Sequence, residues 1–327
     1  MNLSLDNATS ATGDDVQAPG PLAKAIISLI GAVLISIILF GNCMVLVLIV
    51  RFHHLRTPTN YFIMGMAIAD FNVGILALVS IIIRLNPHIP IQPVACLLYN
   101  FSLAYPSVTS IFTLLFVTLD RYLKVVSPYR YELVVTNKTA LTSVVLIYLF
   151  SFLTFFVIPF MRRDQVDVDF SIPCFFLLSK VFGPKYIQFL IYIVLIPIGI
   201  IAFMYGHLYV VVRRLQKDRK RVYPASFGKK IQFMKQEAKS IKTLTILLGL
   251  CISGWVPTLS VLLKETYDPE YQGGLIIRTI CGYLTFFNSA MNPIWYSLRS
   301  EQFRSSAKKL VCGWYDKARH GISVLLH

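Results

Sequence analysis

The chain has 327 residues, 56% of them hydrophobic and only 14% charged, and its 31 Lys and Arg outweigh 16 Asp and Glu to give a net charge of +15. A soluble chain of this length would fold as two domains, but apolar residues gathered in long blocks with so little charge describe a membrane protein. Attraction of the basic surplus to anionic inner-leaflet lipid accounts for the charge, and no nucleic-acid partner is needed.

Residues 1–21 are polar and short of aromatics, which predicts a disordered extracellular tail. They lack a basic stretch leading into a short apolar core, so no cleavable signal is expected and the first helix serves as the insertion signal. Asn2 and Asn7 open glycosylation sequons in this tail. Residues 22–298 then hold seven apolar runs of roughly 20 residues or more, each long enough to cross ~30 Å of hydrocarbon. They lie at about 23–50, 58–83, 97–119, 140–161, 186–212, 241–263 and 275–298. Each is hydrophobic nearly all round and lacks the alternation of a membrane barrel, so helix is the spanning form that satisfies its own backbone. Most of the 31 Lys and Arg fall on the side of Arg51, Arg121, the 213–242 connection and the C-terminus. By the positive-inside rule that side is cytoplasmic.

The predicted fold is therefore an all-α membrane protein, a seven-transmembrane helix bundle in the plasma membrane with an extracellular N-terminus. In 299–327, Phe303, Ala307 and Leu310 recur at helical spacing opposite Arg304, Lys308 and Lys309, which predicts an amphipathic interfacial helix before a cytoplasmic tail. Cys312 follows as a palmitoylation candidate or a plain thiol. Cys96 and Cys174 are the cysteines on the oxidising side, and they form either a disulfide over the bundle mouth or two free thiols.

Polar clusters interrupt the apolar runs where lipid tolerates none without a use. Gly41-Asn42 in the first, Ala69-Asp70 in the second, Asp120-Arg121-Tyr122 ending the third, Trp255-Val256-Pro257 in the sixth and Asn292-Pro293-Ile294-Trp295-Tyr296 in the seventh together resemble the marks of rhodopsin-like (class A) G-protein-coupled receptors. The match covers nearly the whole chain, in order and at the expected depths. At the inner mouth Arg121 is placed to pair with Asp120 and, across the bundle, with Glu237, or else to snorkel to headgroups. Pro197, Pro257 and Pro293 each free a carbonyl and permit a bend. The resemblance implies that Tyr205 and Tyr296 approach Arg121 when the inner side opens, and that Asp70, Ser110, Asn288 and Asn292, with Asn42 nearby, hold an allosteric sodium ion. A hydrogen-bonded structural network with water is the other reading of that cluster. Cys251, Gly254 and Tyr148 depart from the usual Phe, Cys and Trp of the family. The first two lie around the Trp255 relay.

No His, Cys or paired-carboxylate set lies within the spans as a catalytic or metal site, so an enzyme is not expected. No repeat supports a transporter. Leu103 stands where amine receptors carry Asp, so a protonated amine would lack its counter-ion and a monoamine ligand is not expected; Phe286 stands where opsins carry the retinal lysine, and with no lysine in the seventh span an opsin is not expected either. Tyr99, Leu103, Tyr105, Phe175, Phe176, Leu262, Tyr283 and Phe286 are expected to line an apolar outer pocket, ringed by Arg84, Lys264 and Arg278. This loosely resembles receptors for lipids and bile acids and suggests an amphipathic acid as ligand. A peptide, a neutral lipid or constitutive activity without ligand are the alternatives. The resemblance further implies a heterotrimeric G protein as partner, with a hint of the stimulatory, cAMP-raising class, together with arrestin and a receptor kinase.

Overall fold

The computed structural model describes residues 20–85, 93–161, 178–222, 228–268, 271 and 275–325. Its helices are α1 (Pro21–Arg51), α2 (Pro58–Leu85), α3 (Pro93–Val126), α4 (Pro128–Val134), α5 (Asn137–Phe152), α6 (Ile158–Met161), α7 (Leu178–Val222), α8 (Gly228–Tyr267), α9 (Leu275–Arg299) and α10 (Glu301–Leu325). Every predicted span falls inside α1, α2, α3, α5–α6, α7, α8 or α9, which together make the seven-helix bundle. Among the described residues, five stretches are long and apolar enough by themselves to cross a membrane. α8 and α9 carry the other two spans, and α9 holds the polar run Thr285, Asn288, Ser289 and Asn292. The helices run well past the apolar blocks: α7 has 45 residues and α8 has 40, roughly 68 and 60 Å of helix rise. The basic 213–222 segment is thus a continuation of α7.

α5 does not pass directly into α6. Residues Leu153–Val157 form a single π-helical stretch, in which the Ile158 N–H reaches back to the Leu153 carbonyl. Pro159 is the local cause, because it supplies no N–H to the preceding turn and so loosens the α register. A side chain from another helix repairs part of the loss: the Tyr186 hydroxyl on α7 donates to the Thr154 carbonyl at 2.8 Å.

Two glycines set close helix approaches. A methyl group at Gly41 would lie 2.6 Å from Pro293 Cγ, so α1 and α9 meet where the proline ring fills the space a side chain would take. At Gly254 a methyl group would lie 2.9 Å from the Leu284 backbone oxygen, which brings α8 against α9 one turn before Pro257. The departure at Gly254 is therefore a packing feature. Tyr148, in the place of the usual Trp, donates from α5 to the Gly65 carbonyl of α2 at 2.7 Å.

α10 docks by Phe303, 2% exposed, and by the buried Ser306, whose hydroxyl is 3.1 Å from His54 Nε2 in the 3-10 turn after α1. Arg304, Lys308 and Lys309 are exposed on its other face. Cys43, Cys251, Cys281 and Cys312 are free thiols. Cys96 is buried at the start of α3. Its expected partner Cys174, like Asn2, Asn7, Phe175 and Phe176, lies outside the described residues.

Candidate functional site

Three polar layers follow one another along the bundle axis, and the elements above explain why each side chain sits where it does. At the end opposite the basic one, α2, α3, α8 and α9, with Ile35 of α1 and Leu190 of α7, line a cavity of about 240 Å³. Its wall is apolar at Leu103, Leu259, Leu262 and Phe286 and carries hydroxyls at Ser80, Tyr99, Ser107, Thr258 and Thr285. Tyr99 and Ser80 are hydrogen-bonded to each other, and Tyr283 donates to the Ile27 carbonyl at 2.8 Å, tying α9 to α1.

Of the expected lining residues, Tyr99, Leu103, Leu262, Tyr283, Phe286 and Arg278 face this cavity. Two do not. Tyr105 lies on the α5 side of α3, with its ring against Phe152 at 5.7 Å between centroids. Lys264 is exposed, its ammonium 4.0 Å above the Tyr271 ring. The expected ring of three cations therefore does not form around the cavity. Arg278 is itself engaged, its Nε 2.6 Å from Glu265 Oε1, and the Arg84 side chain is outside the described set. Glu265, which sequence reasoning passed over, is the carboxylate on the wall; its spacing from Arg278 follows no helical repeat and gives no local signal.

Ser107, Trp255 and Thr285 line this cavity and also a second, deeper one of about 20 Å³, space for roughly one water-sized occupant. Above Trp255, the Thr258 and Thr285 hydroxyls are 3.1 Å apart and both reach the Cys281 carbonyl, at 3.2 and 3.1 Å. Cys251, where the family usually carries Phe, is 1% exposed and lines the deeper cavity beneath Trp255.

Beside that void Asp70 is fully buried. Its Oδ1 accepts from Ser110 at 3.0 Å and Ser289 at 2.7 Å, and its Oδ2 accepts from the Asn292 amide at 2.7 Å. Ser110 and Asn292 are thus brought to Asp70 as expected of the cluster. Asn288 lines the cavity but makes no hydrogen bond to Asp70 among those present, and Ser289, one residue on, turns its hydroxyl to the carboxylate instead. Asn42 donates to Ile38 and Ser289 carbonyls at 2.9 and 3.4 Å, leaving its own Oδ1 buried without a partner. Ser110, Ser289 and Asn292, the three residues bonded to Asp70, line the void while the carboxylate lies behind them; a carboxylate with two hydroxyls that can each turn an oxygen inward is a donor set suited to a hard monovalent cation.

At the basic end Asp120 is 2% exposed. Thr59 of α2 donates to its Oδ2 at 2.6 Å, and Tyr131 of α4 to its Oδ1 at 3.0 Å. The expected Asp120–Arg121 pair is absent among the described residues, because hydroxyls from two other elements already hold both carboxylate oxygens. Burial first, and then the Asp120 charge, push the Tyr131 hydroxyl up to about 12, so it remains a proton donor throughout the physiological range. Tyr205 hydrogen-bonds Thr118 at 2.9 Å, one turn above Arg121, and Tyr122 meets His207 Nδ1 at 3.1 Å. α3 and α7 are thereby linked twice. The side chains of Glu237 and Tyr296 lie outside the described set.

Residues 41–296 match the family described as 7 transmembrane receptor (rhodopsin family). Trace amine-associated receptor 9 of Mus musculus is 23% identical over 333 residues, covering 96% of this chain and 91% of its own length. Octopamine receptor beta-2R of Drosophila melanogaster is 25% identical over 336 residues, covering 86% of this chain and 60% of its own. Alpha-1A adrenergic receptor of Oryctolagus cuniculus is 26% identical over 370 residues, covering 99% and 77%.

Proposed function

Because this chain belongs to the rhodopsin family of seven-transmembrane receptors, and is a receptor rather than an enzyme, we propose that occupancy of the 240 Å³ cavity drives opening of the basic end, where a heterotrimeric G protein is engaged. The observation that carries this reading is the shared wall: Ser107, Trp255 and Thr285 border both the cavity and the void beside Asp70. A ligand pressing on Trp255 therefore acts on the buried cluster without an intervening layer, next to Pro257 and Pro293, where the α8 and α9 ladders are already interrupted. In the closed arrangement Asp120, Thr59 and Tyr131 hold α2, α3 and α4 together, and Glu237 is the proposed cross-bundle partner of Arg121. A sodium ion at Asp70, Ser110, Ser289 and Asn292 would favour that arrangement. The Cys96–Cys174 bridge, the plasma-membrane setting with the basic end inward, coupling to the stimulatory class, and arrestin and receptor-kinase engagement belong to the same reading.

The amphipathic-acid ligand loses its support. Arg278 is held by Glu265, Lys264 points elsewhere, and the relatives are receptors named for amines. Leu103 on the wall gives an amine no counter-ion at that position. The test is a cavity block: Leu103→Trp should remove ligand-driven G-protein activation at matched surface expression and leave basal activity, whereas unaltered ligand responses would place the binding site elsewhere.

A further inference from the structure

Resting on the reading of the cavity as the ligand site, the hydroxyl protons of its floor narrow the ligand class. The floor is the neck where Ser107, Trp255 and Thr285 border both cavities, with Thr258 joined to Thr285 at 3.1 Å. Ser107 donates its proton to the Leu103 carbonyl at 2.8 Å. Thr258 reaches the carbonyls of Gly254 and Cys281 at 3.0 and 3.2 Å, and Thr285 reaches that of Cys281 at 3.1 Å. A hydroxyl carries one proton and two lone pairs. Whichever way the threonines divide these bonds, both protons stay within the cluster they form with the two carbonyls, and each oxygen keeps at least one lone pair. The hydroxyls of Ser107, Thr258 and Thr285 therefore meet a ligand as acceptors, and to donate instead each would first have to give up its bond. The other polar group of the floor is the Trp255 indole, whose N–H makes no hydrogen bond among the described residues. An ether, ester or carboxylate brings lone pairs alone and sets them against those of the hydroxyls. An ammonium brings protons alone, and its charge meets no carboxylate among the neck residues. A hydroxyl brings both, its proton to a serine or threonine oxygen and a lone pair to the indole. A phenol suits best, because its O–H is a stronger donor than an alcohol's and its ring matches the apolar wall at Leu103, Leu262 and Phe286.

We propose that the floor of the cavity recognises the hydroxyl of a neutral phenol with an apolar body, through the acceptor oxygens of Ser107, Thr258 and Thr285. These side chains determine specificity: they discriminate against ligands that bring only acceptors by confronting lone pair with lone pair.

The experiment is direct binding to the full-length receptor in lipid nanodiscs, with empty nanodiscs as the reference for partition into lipid. The probes are para-hydroxybiphenyl, beta-naphthol and para-butylphenol, each compared with its methyl ether and with the carboxylate and aminomethyl compounds of the same skeleton. The best-binding phenol should bind at least about tenfold more tightly than each of its counterparts. Thr258→Val with Thr285→Val keeps shape and removes two acceptors, and it should cut the preference over the ether at least about threefold; adding Ser107→Ala should abolish it. Thr258→Ser with Thr285→Ser keeps both oxygens, so it should retain the preference and serves as the folding control. Leu103→Trp should remove binding altogether. If the valine variants do not fold, the wild-type comparison of phenol with ether decides by itself. An ether, carboxylate or amine that binds as tightly as its phenol, a preference that survives loss of all three hydroxyls, binding undiminished by Leu103→Trp, or no binding by any of the phenols would each overturn the proposal. Basal nucleotide exchange on G protein that depends on Arg121, measured in the same preparation, separates that failure from failure of the receptor reading itself.

Discussion

Tyr131→Phe removes one hydroxyl from a loop helix and should raise ligand-independent signalling. Asp120 is 2% exposed, and Tyr131 donates to its Oδ1 at 3.0 Å while Thr59 holds Oδ2 at 2.6 Å. A hydrogen bond to a charged group contributes ~1.5–3 kcal/mol net, and a buried carboxylate deprived of a donor bears the larger part of that range. In the proposed opening of the basic end α3 would move relative to α4, and the bond is assigned to the closed arrangement on that reading. Its loss should shift the closed-to-open ratio about 10- to 150-fold, which takes an open population of about 1% to tens of per cent. The Tyr131 hydroxyl, raised to about 12, is protonated on both sides of neutrality, so the difference between variant and wild type should be flat between about pH 6 and 8. The assay is basal G-protein dissociation in cells at matched surface expression, with Thr59→Ala as a second route to the same carboxylate. Unchanged basal activity in both variants would refute the role given to Asp120, since it would show that the two bonds are equally strong in the open state.

Asp70→Asn should make agonist affinity insensitive to exchange of sodium for potassium, because the amide keeps the hydrogen bonds of Ser110 and Ser289 but loses the charge that holds a cation; wild-type affinity that ignores the exchange would leave the cluster purely structural. Gly254→Ala should lower thermal stability by ~1–3 kcal/mol, since its methyl group would lie 2.9 Å from a backbone oxygen that cannot swing aside. A melting temperature equal to wild type would show that α8 and α9 separate easily at Leu284. Tyr186→Phe should leave the Thr154 carbonyl without its donor, costing ~1–3 kcal/mol and speeding hydrogen exchange at the π turn. Unchanged exchange there would show that the turn does not depend on α7.

Much of the fold was legible because hydrocarbon is a strict solvent: a run that must satisfy its own backbone has to be a helix, so apolar length marked all seven spans. What lay beyond the membrane was less legible. The extensions of α7 and α8 are polar and carry no such constraint, and α4 is too short for periodicity. The π turn at Leu153–Val157 follows from Pro159, but a proline inside an apolar run signals only an interruption, not the register the backbone takes around it. In the site, Asp70, Ser110 and Asn292 were found because charge and amides at membrane depth stand out against their surroundings. Ser289 was missed because serine is common in such helices and its neighbour Asn288 looked the better ligand. Arg278 was expected at the outer mouth, but its partner Glu265 escaped for a different reason: it sits 13 residues away on another helix, a separation that no local spacing marks. Tyr105 was placed in the pocket by counting along α3, where an error of half a turn exchanges cavity for the α5 interface.

Activation of G protein through the Arg121 end of the bundle, as proposed, is open to test by nucleotide exchange on purified heterotrimers of each class, catalysed by the Tyr131→Phe receptor in nanodiscs, with and without Arg121→Ala. Exchange is expected on at least one class, abolished by Arg121→Ala although the variant folds and binds ligand as before. Exchange that persists without Arg121, or exchange on no heterotrimer by a folded receptor, would contradict it.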